Sequence, residues 1–268
     1  MPSFELTEPI LPGPAHALAA LLGVPVPDGP LPLLWHWLYL LDRPAQTDLG
    51  PDGHPVRGAV LAPPGPGRRR MWAGGRVRVP GELRCGEPAT RRSEVLAVRE
   101  KDGRSGPLTF VTVAHRISQG GRVVVDEEQD IVYRLGAGPA WPADGPELPP
   151  GEDEWAVDVT PTLLFRFSAL TYNAHRIHYD RDYSRDVEGY PGLLTHGPLQ
   201  AVAMAEAARA RGVGGRVEFE YRLVAPLFDH QGLIARAEPG AAETVTSVRD
   251  RSGRPTATGT LRRLGRTG

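Results

Sequence analysis

Two long stretches of the chain alternate between β-branched or aromatic residues and polar ones, and each follows a helical segment. Strands are predicted at 76–79, 91–100, 108–118 and 123–133 in the first half, and at 156–159, 216–223, 233–237, 244–250 and 257–264 in the second. The helical segments are 16–22 and 198–211, the second with Pro198 at its start and Gly212 after its end. A helix followed by antiparallel strands, twice over, predicts a duplicated α+β fold in which each sheet wraps one long helix.

Short internal echoes support this duplication. Gly74-Gly75-Arg76-Val77 recurs as Gly214-Gly215-Arg216-Val217, and Val98-Arg99 before a glycine turn recurs as Val248-Arg249. The run 136–151 is rich in proline and glycine and sustains neither helix nor ladder. We therefore predict a first unit at 1–135, a linker at 136–154 and a second unit at 155–268.

Two segments of the first half are harder to assign. Residues 33–41, LLWHWLYLL, are apolar on all sides, which predicts a buried helix or strand. Residues 48–70 are rich in proline and glycine and end in Arg68-Arg69-Arg70, which predicts a loop.

The overall charge excludes some function classes. In 268 residues, 31 Lys and Arg face 32 Asp and Glu, so no global field draws the protein to nucleic acid or to a membrane. The single cysteine, Cys85, cannot form an intrachain disulfide, and the start of the chain lacks the pattern of a signal peptide. The apolar run 31–41 is too short to span a bilayer. We expect a cytoplasmic protein.

The richest cluster of polar side chains lies between two apolar segments of the second half. Asn173-Ala174-His175-Arg176-Ile177-His178-Tyr179-Asp180 is followed by a Gly/Pro corner and then by His196-Gly197-Pro198, which opens the long helix. A side chain that moves protons beside free N–H groups at a helix start is what chemistry on a carbonyl needs. The active site is predicted here.

These residues resemble the signature of the MaoC-like hydratases and dehydratases. Matching positions are Phe167, Leu170, Thr171, Ile177, His178, Ser184 and the run Leu193-Leu194-Thr195-His196-Gly197, whereas Tyr172, Asn173, His175 and Arg176 depart. The wording YNAHRIHYD, EGYPGLLTHGPL, LPLLWHWLYLLD and RRRMWAGGRVRV is similar to the mesaconyl-C4-CoA (3-methylfumaryl-CoA) hydratase branch, which is related to mitochondrial type-2 hydroxyacyl-thioester dehydratases.

The resemblance implies a fold and an activity. The fold is a double hotdog, with an N-terminal hotdog like that of FAS1-type dehydratases and a catalytic C-terminal one. The activity is that of an enoyl-CoA hydratase or 3-hydroxyacyl thioester dehydratase without a cofactor. Its substrate would be a short enoyl-CoA, branched or dicarboxylic, such as mesaconyl-CoA.

Roles follow for three catalytic candidates. His178 suits proton transfer, because an unperturbed imidazole titrates near pH 6.5. Asn173 can orient a water but cannot ionise. The Gly197 N–H lies in the first turn of the helix and can hold the oxygen of an enolate, whereas Pro198 has no N–H. The simpler alternatives are a buried Asn and His that only satisfy a loop, and a plain helix start capped by Thr195.

Four further residues are predicted to bind the substrate. His196 and Tyr179 would line the pocket, Trp72 would stand where the first half once had a site of its own, and Arg70 would pair with CoA phosphates together with Arg68 and Arg69. The alternatives are a hydrogen bond to the preceding corner for His196, wall or core packing for Tyr179 and Trp72, and a solvated loop for the arginines. The first half has no His-Gly pair, so one active site per chain is expected.

A metal and two other functions remain as alternatives. His175, His178, Asp180 and Asp182 include metal-ligand residue types, but without a recognised framework, so no metal is expected. A hotdog thioesterase would rely on a carboxylate, and Glu206 is the only acid in 199–211. A non-catalytic acyl-CoA-binding protein would explain Asn173. Monomer and homodimer are both compatible with the sequence.

Overall fold

Ten strands form one continuous antiparallel sheet in the computed structural model, which describes residues 3–56, 68–103, 106–135, 141 and 144–265. The strands are β1 Ser3–Pro9, β2 Arg68–Arg78, β3 Pro88–Gly103, β4 Gly106–Gln119, β5 Arg122–Leu135, β6 Glu154–Val157, β7 Val217–Leu223, β8 Leu233–Pro239, β9 Thr244–Arg249 and β10 Pro255–Arg263. The α-helices of this described part are α1 Pro12–Leu22, α2 Pro161–Leu170 and α3 Gly197–Ala210.

The two halves of the sheet have the same internal order. The full order is β1-β3-β4-β5-β2-β7-β10-β9-β8-β6, so each half reads first, third, fourth, fifth, second from its outer edge to the middle. The halves therefore meet through their second strands, β2 and β7, which pair antiparallel. This repeated order fits a duplicated unit, and the boundary between the units stays a prediction.

The seam between β2 and β7 requires glycine. Gly74 pairs with Arg222 and Arg78 pairs with Glu218. Gly74 has a φ of 154°, and a Cβ there would lie 2.3 Å from the Tyr221 carbonyl oxygen. A side chain at this position would force the two halves apart.

One of the two internal echoes is wrong as a structural correspondence. The echo that contains Gly74 leads to the paired strands β2 and β7. Val98-Arg99 lies on β3 and Val248-Arg249 lies on β9, which are the third and fourth strands of their units. Dipeptides of this kind recur because valine is common in strands, whatever the position of the strand in the fold.

Helix α3 confirms the predicted long helix of the second half. It packs against β8, β9 and β10 and is buried from Leu199 to Ala208. Helix α2 was not predicted as a helix, although its start has a local signature: Pro161 lies in the first turn and the Thr160 hydroxyl accepts a hydrogen bond from the Leu163 N–H at 3.1 Å. Helix α2 packs against α1.

The first half differs from the expected helix-filled unit. Between α1 and β2, the described residues 23–56 form two 3₁₀ turns, Trp35–Leu38 and Gln46–Asp48, in place of a long helix. Segment 33–41 is buried as predicted, but it contains one 3₁₀ turn and forms neither an α-helix nor a strand. Leu34 and Leu40 have φ values of 69° and 54°, which interrupt both kinds of regular structure.

Other predictions for the loops have mixed outcomes. Arg68–Arg70 belong to strand β2 and not to a loop, because their backbones pair with β5. Residues 57–67 of the predicted loop and 136–140, 142 and 143 of the predicted linker lie outside the described chain. Among the described helices, none combines the length and apolarity needed to cross a bilayer.

Trp35 connects the buried segment of the first half to α3 of the second. Its indole N–H donates to Glu206 Oε1 at 2.9 Å, and both side chains are buried. The other oxygen of Glu206 accepts from the Arg209 guanidinium at 2.9 and 2.6 Å. This hydrogen bond holds segment 33–41 against α3 although the segment forms no α-helix.

We expect Trp35→Phe to lower the free energy of unfolding by about 1–3 kcal/mol, because Glu206 stays buried and loses a donor. Urea titration followed by circular dichroism measures this change. Val98→Ala, at a largely exposed position on β3, is the control and should change the free energy by less than about 0.5 kcal/mol. Equal urea midpoints for Trp35→Phe and the unmodified protein would contradict the proposed connection.

Candidate active site

A tight turn after α2 places the predicted polar cluster. Tyr172 takes a left-handed φ of 50°, and Asn173 Oδ1 accepts a hydrogen bond from the His175 N–H at 3.0 Å. The Asn173 N–H donates to the Ser168 carbonyl at 2.8 Å. A one-turn 3₁₀ helix, Arg176–His178, follows at once. The side-chain oxygen Oδ1 of Asn173 is thus used by the turn. The side-chain NH₂ group of Asn173 has no hydrogen-bond partner among the described residues.

His178 is held in one tautomer. Its Nδ1–H donates to the Leu194 carbonyl oxygen at 2.7 Å, which leaves Nε2 as the acceptor of the neutral ring. Burial lowers the pKa of His178 to about 4, against a smaller raising effect of the Leu194 carbonyl. The ring is therefore neutral at pH 7, and Nε2 can accept a proton.

The His196 ring packs against the His178 ring. The two rings stack with centroids 3.7 Å apart and an interplanar angle of 18°. His196 Nε2 lies 2.8 Å from the Ser168 hydroxyl. Burial, and then the neighbouring His178, lower the pKa of His196 well below 6.5. Protonating either ring would place an unpaired charge in this stack, so both stay neutral.

Gly197 is the first residue of α3 and follows His196 directly. Its N–H has no partner within the helix, and no other described residue accepts from it. A Cβ at Gly197 would lie 2.2 Å from Leu223 Cδ1 and 3.6 Å from Trp72 Cβ, so packing alone already favours glycine. The packing role and the oxyanion role are compatible.

Thr195 is not the cap of α3. The N-cap residue is His196, and no side chain caps the helix. The Thr195 hydroxyl is buried without a hydrogen-bond partner in the described chain, and Thr195 lines the cavity described next. This buried hydroxyl, two residues before Gly197 in the sequence, is a donor that no described residue uses.

One cavity of about 1380 Å³ joins both halves and brings most of the predicted site residues together. The predicted residues in its wall are His178, Asn173, Gly197, Tyr179, Arg70 and Trp72. His196 does not line it, since it is fully buried behind His178. We therefore revise the role of His196 from substrate contact to support of His178.

The aromatic wall residues are anchored by hydrogen bonds. Tyr179 is about half exposed and donates its hydroxyl hydrogen to the Ala174 carbonyl at 3.0 Å. The Trp72 indole N–H donates to the Tyr221 hydroxyl at 3.0 Å, and its ring meets Trp37 edge-on. Trp72 therefore joins β2 to β7 beside the start of α3.

Sequence reasoning missed the contribution of the 50–56 loop. His54 lies against His175 with ring centroids 3.9 Å apart, and His175 meets His178 edge-on. The Arg176 N–H donates to the Asp52 carbonyl at 2.9 Å. Gly53 is the one local signal, because a Cβ there would lie 1.9 Å from the Ala174 carbonyl oxygen. The loop closes on the polar cluster at this glycine.

Asp52, His54 and His175 each place one possible ligand atom within 4.8 Å of the others. The hydrogen bond of 3.4 Å between Asp52 Oδ2 and His54 Nδ1 and the ring contact with His175 account for this closeness. We assign no metal ligands here.

The other metal and thioesterase candidates are occupied by protein contacts. Asp180 pairs with Arg176 at 2.7 Å, and Asp182 pairs with Arg185 at 2.9 Å, so neither converges on His178. Glu206 is held by Trp35 and Arg209. Glu127, which lines the cavity, is buried among donors from His36, Trp37 and Gln129. Each of these carboxylates is engaged by donors from the protein.

The family model of the hydroxyacyl-thioester dehydratases type 2 matches residues 34–229. The mesaconyl-C(4)-CoA hydratase of Chloroflexus aurantiacus is 53% identical over 210 residues, which cover 77% of this chain and 74% of that protein.

Solved structures give the fold. HtdX of Mycobacterium tuberculosis matches with a TM-score of 0.71 at 17% identity, over 98% of this chain and 100% of its own. A MaoC-like dehydratase of Phytophthora capsici matches with 0.67 at 15% identity, over 99% and 97%. A second M. tuberculosis protein with a double hotdog fold matches with 0.56 at 17% identity, over 97% and 94%. The predicted double hotdog is confirmed.

The buried neutral histidines make folding dependent on pH. The folded pKa of His178, about 4, lies below the unfolded value of about 6.5, so the unfolded chain binds more protons between these values. Stability is therefore complete above about pH 6.5 and falls as the pH drops toward 4. We expect each such group to contribute a slope of at most about 1.4 kcal/mol per pH unit.

Urea titrations at pH 5, 6 and 7 measure this slope. His178→Gln keeps an N–H donor for Leu194 and removes one titration, so its slope should be smaller than that of the unmodified protein. His16→Gln, on the exposed face of α1, makes the same replacement outside the cavity and is the matched control. Parallel slopes for all three proteins would contradict a buried neutral His178.

Proposed function

The chain belongs to the hydroxyacyl-thioester dehydratase type 2 family, and we propose that it adds water across the double bond of mesaconyl-CoA or a close dicarboxylic enoyl-CoA. Family membership confirms the predicted MaoC-like resemblance and the predicted enzyme class, a hydro-lyase. The proposal of mesaconyl-CoA is supported by the name of the relative at 53% identity. The observation that carries the mechanism is the fixed tautomer of His178, which leaves Nε2 as an acceptor on a ring that lines the same cavity as Gly197.

His178 is the proposed acid–base group. As the water oxygen bonds to the β-carbon, Nε2 accepts the water proton, and the electrons of the double bond move to the α-carbon and the thioester oxygen. The imidazolium then returns the proton to the α-carbon, and the enolate collapses to the thioester. The water supplies both the hydroxyl and the hydrogen, so no other proton source is needed.

Donors at the start of α3 would hold the enolate oxygen. We assign the Gly197 N–H, at the positive end of the helix dipole, and the unpaired Thr195 hydroxyl to this role. The NH₂ group of Asn173 would donate to the water oxygen and orient its lone pair toward the β-carbon. A neutral amide can position the water without competing with His178 for its proton.

The other parts of the substrate and the setting of the enzyme are also proposals. The CoA arm would leave the cavity between the two halves, past Trp72 and Tyr179, which both line it. A cytoplasmic location is supported by the single free cysteine, Cys85. A homodimer stays a prediction.

We expect His178→Ala to lower kcat at least about 100-fold, because general acid–base catalysis contributes about this much. Asn173→Asp should retain activity or gain it, because a carboxylate can also orient the water. The assay incubates crotonyl-, mesaconyl- and itaconyl-CoA and follows enoyl absorbance and free thiol. His16→Ala on exposed α1 is the control.

Each result of this assay has one meaning. Loss of absorbance without thiol supports a hydratase. Release of thiol indicates a thioesterase, and binding without either change indicates a non-catalytic acyl-CoA-binding protein. Normal turnover by His178→Ala would overturn the acid–base assignment.

The pH profile provides a second test of His178. The base must be neutral, so kcat/KM should stay level from pH 7 down to about pH 5 and fall only as the pH approaches the His178 pKa of about 4. An acid limb at the ordinary imidazole value of about 6.5 would show that the free enzyme has an unshifted base. Stopped assays with brief exposure separate this limb from unfolding.

A further inference from the structure

Arg70 is a cation in the cavity wall, and its guanidinium has no partner among the described residues. It lies on β2, pairs with Tyr133 of β5 through the backbone, and lines the cavity wall. No described residue forms a hydrogen bond or ion pair with its guanidinium. The neighbouring Arg69, by contrast, pairs with Glu188 at 3.0 Å.

The Asp52 carboxylate does not form an ion pair with Arg70. Burial lowers the pKa of Arg70, and the negative charge of Asp52 raises it. The Asp52 carboxylate itself accepts a hydrogen bond from the His54 N–H at 2.9 Å and lies 3.4 Å from His54 Nδ1. Arginine stays protonated in proteins, and a partly buried unpaired guanidinium costs free energy. An anion that enters the cavity would remove this cost.

Strand geometry places Arg70 near the reacting groups. Arg70 and Trp72 are two residues apart on a regular part of β2, so their side chains share one face, about 7 Å apart along the strand. Trp72 Cβ lies 3.6 Å from the position of a Cβ on Gly197. The Arg70 charge also adds to the effect of burial in lowering the pKa of His54 and of His175, whose ring contacts His178.

We propose that Arg70 binds the free carboxylate on the β-carbon of the substrate and so selects dicarboxylic enoyl thioesters. The inference rests on the proposed function. In mesaconyl-C4-CoA the thioester carbonyl, the double bond and this carboxylate follow one another along four carbons. Gly197, His178 and Arg70 would meet them in that order. The guanidinium fork matches a carboxylate with two parallel hydrogen bonds.

A CoA phosphate is the rival ligand, since it offers the same kind of oxygens. A second arginine in the cavity wall, Arg134, serves as the control that separates the two ligands. Arg134 also lines the wall, pairs across the strands with Arg69, and has a buried Nε without a partner among the described residues. Arg134 and Arg70 are neutralised by the same change, Arg to Gln, and only Arg70 shares the face of Trp72.

Binding of unreactive thioesters tests the inference without turnover. Succinyl-CoA carries the carboxylate on its β-carbon, and butyryl-CoA carries a methyl group there. Isothermal titration with both ligands compares the unmodified protein with Arg70→Gln, Arg70→Lys and Arg134→Gln. Thermal unfolding checks that each variant is folded.

We expect Arg70→Gln to raise the Kd of succinyl-CoA about 10- to 100-fold and to change that of butyryl-CoA less than about 2-fold. Arg70→Lys should lie between, because the charge remains and the fork is lost. Arg134→Gln should not change the ratio of the two Kd values. Parallel weakening of both ligands by Arg70→Gln would assign Arg70 to the CoA phosphates, and no weakening would leave it without this role. Either result overturns the inference.

Activity separates this inference from the proposed function. Arg70→Gln should lower kcat/KM for mesaconyl-CoA far more than for crotonyl-CoA. If the unmodified protein hydrates neither, the proposed function fails, while the two Kd values still decide the role of Arg70.

Discussion

The pairing of β2 with β7 brings the two walls of the site together. Five residues of each strand pair at this seam, and Gly74 allows the backbones to approach. Because β2 belongs to the first half and β7 to the second, the seam brings Trp72 against the start of α3. The cavity therefore has one wall from each half. Neither half alone would hold Arg70 and His178 in the same cavity.

In its described part, the first half has no long helix between α1 and β2, where the second half has α3 between α2 and β7. A long helix packs inside the second half, whereas the described part of the first half has the buried segment 33–41, anchored by Trp35 on Glu206. This contact uses a carboxylate that a thioesterase mechanism would need to be free. The same contact stabilises the segment and engages the one acid of α3.

The histidines of the site act as a neutral stack. The Leu194 carbonyl selects the tautomer of His178, and His196 covers its other face. Burial disfavours the charged form of both rings, so a base is available at neutral pH although its conjugate acid is strong. Such an imidazolium gives up its proton readily, which suits a step in which the proton returns to carbon. The cost is a protein that loses stability in acid.

The sequence by itself determined the strand-rich duplicated fold and helix α3, and it indicated His178 and Gly197 as catalytic candidates, because periodicity, Pro198, Gly212 and the motif around His178 are local signals. Tertiary structure decided the rest. The His178 tautomer depends on a carbonyl 16 residues away, and the loop with Asp52 and His54 docks from the other half. Segment 33–41 has no long regular element, because Leu34 and Leu40 take left-handed φ values and the Trp35 indole bonds to Glu206 of the other half. Arg70 lines the cavity because it belongs to strand β2 and not to the preceding loop. The pairing of β2 with β7 has no signature within either strand alone.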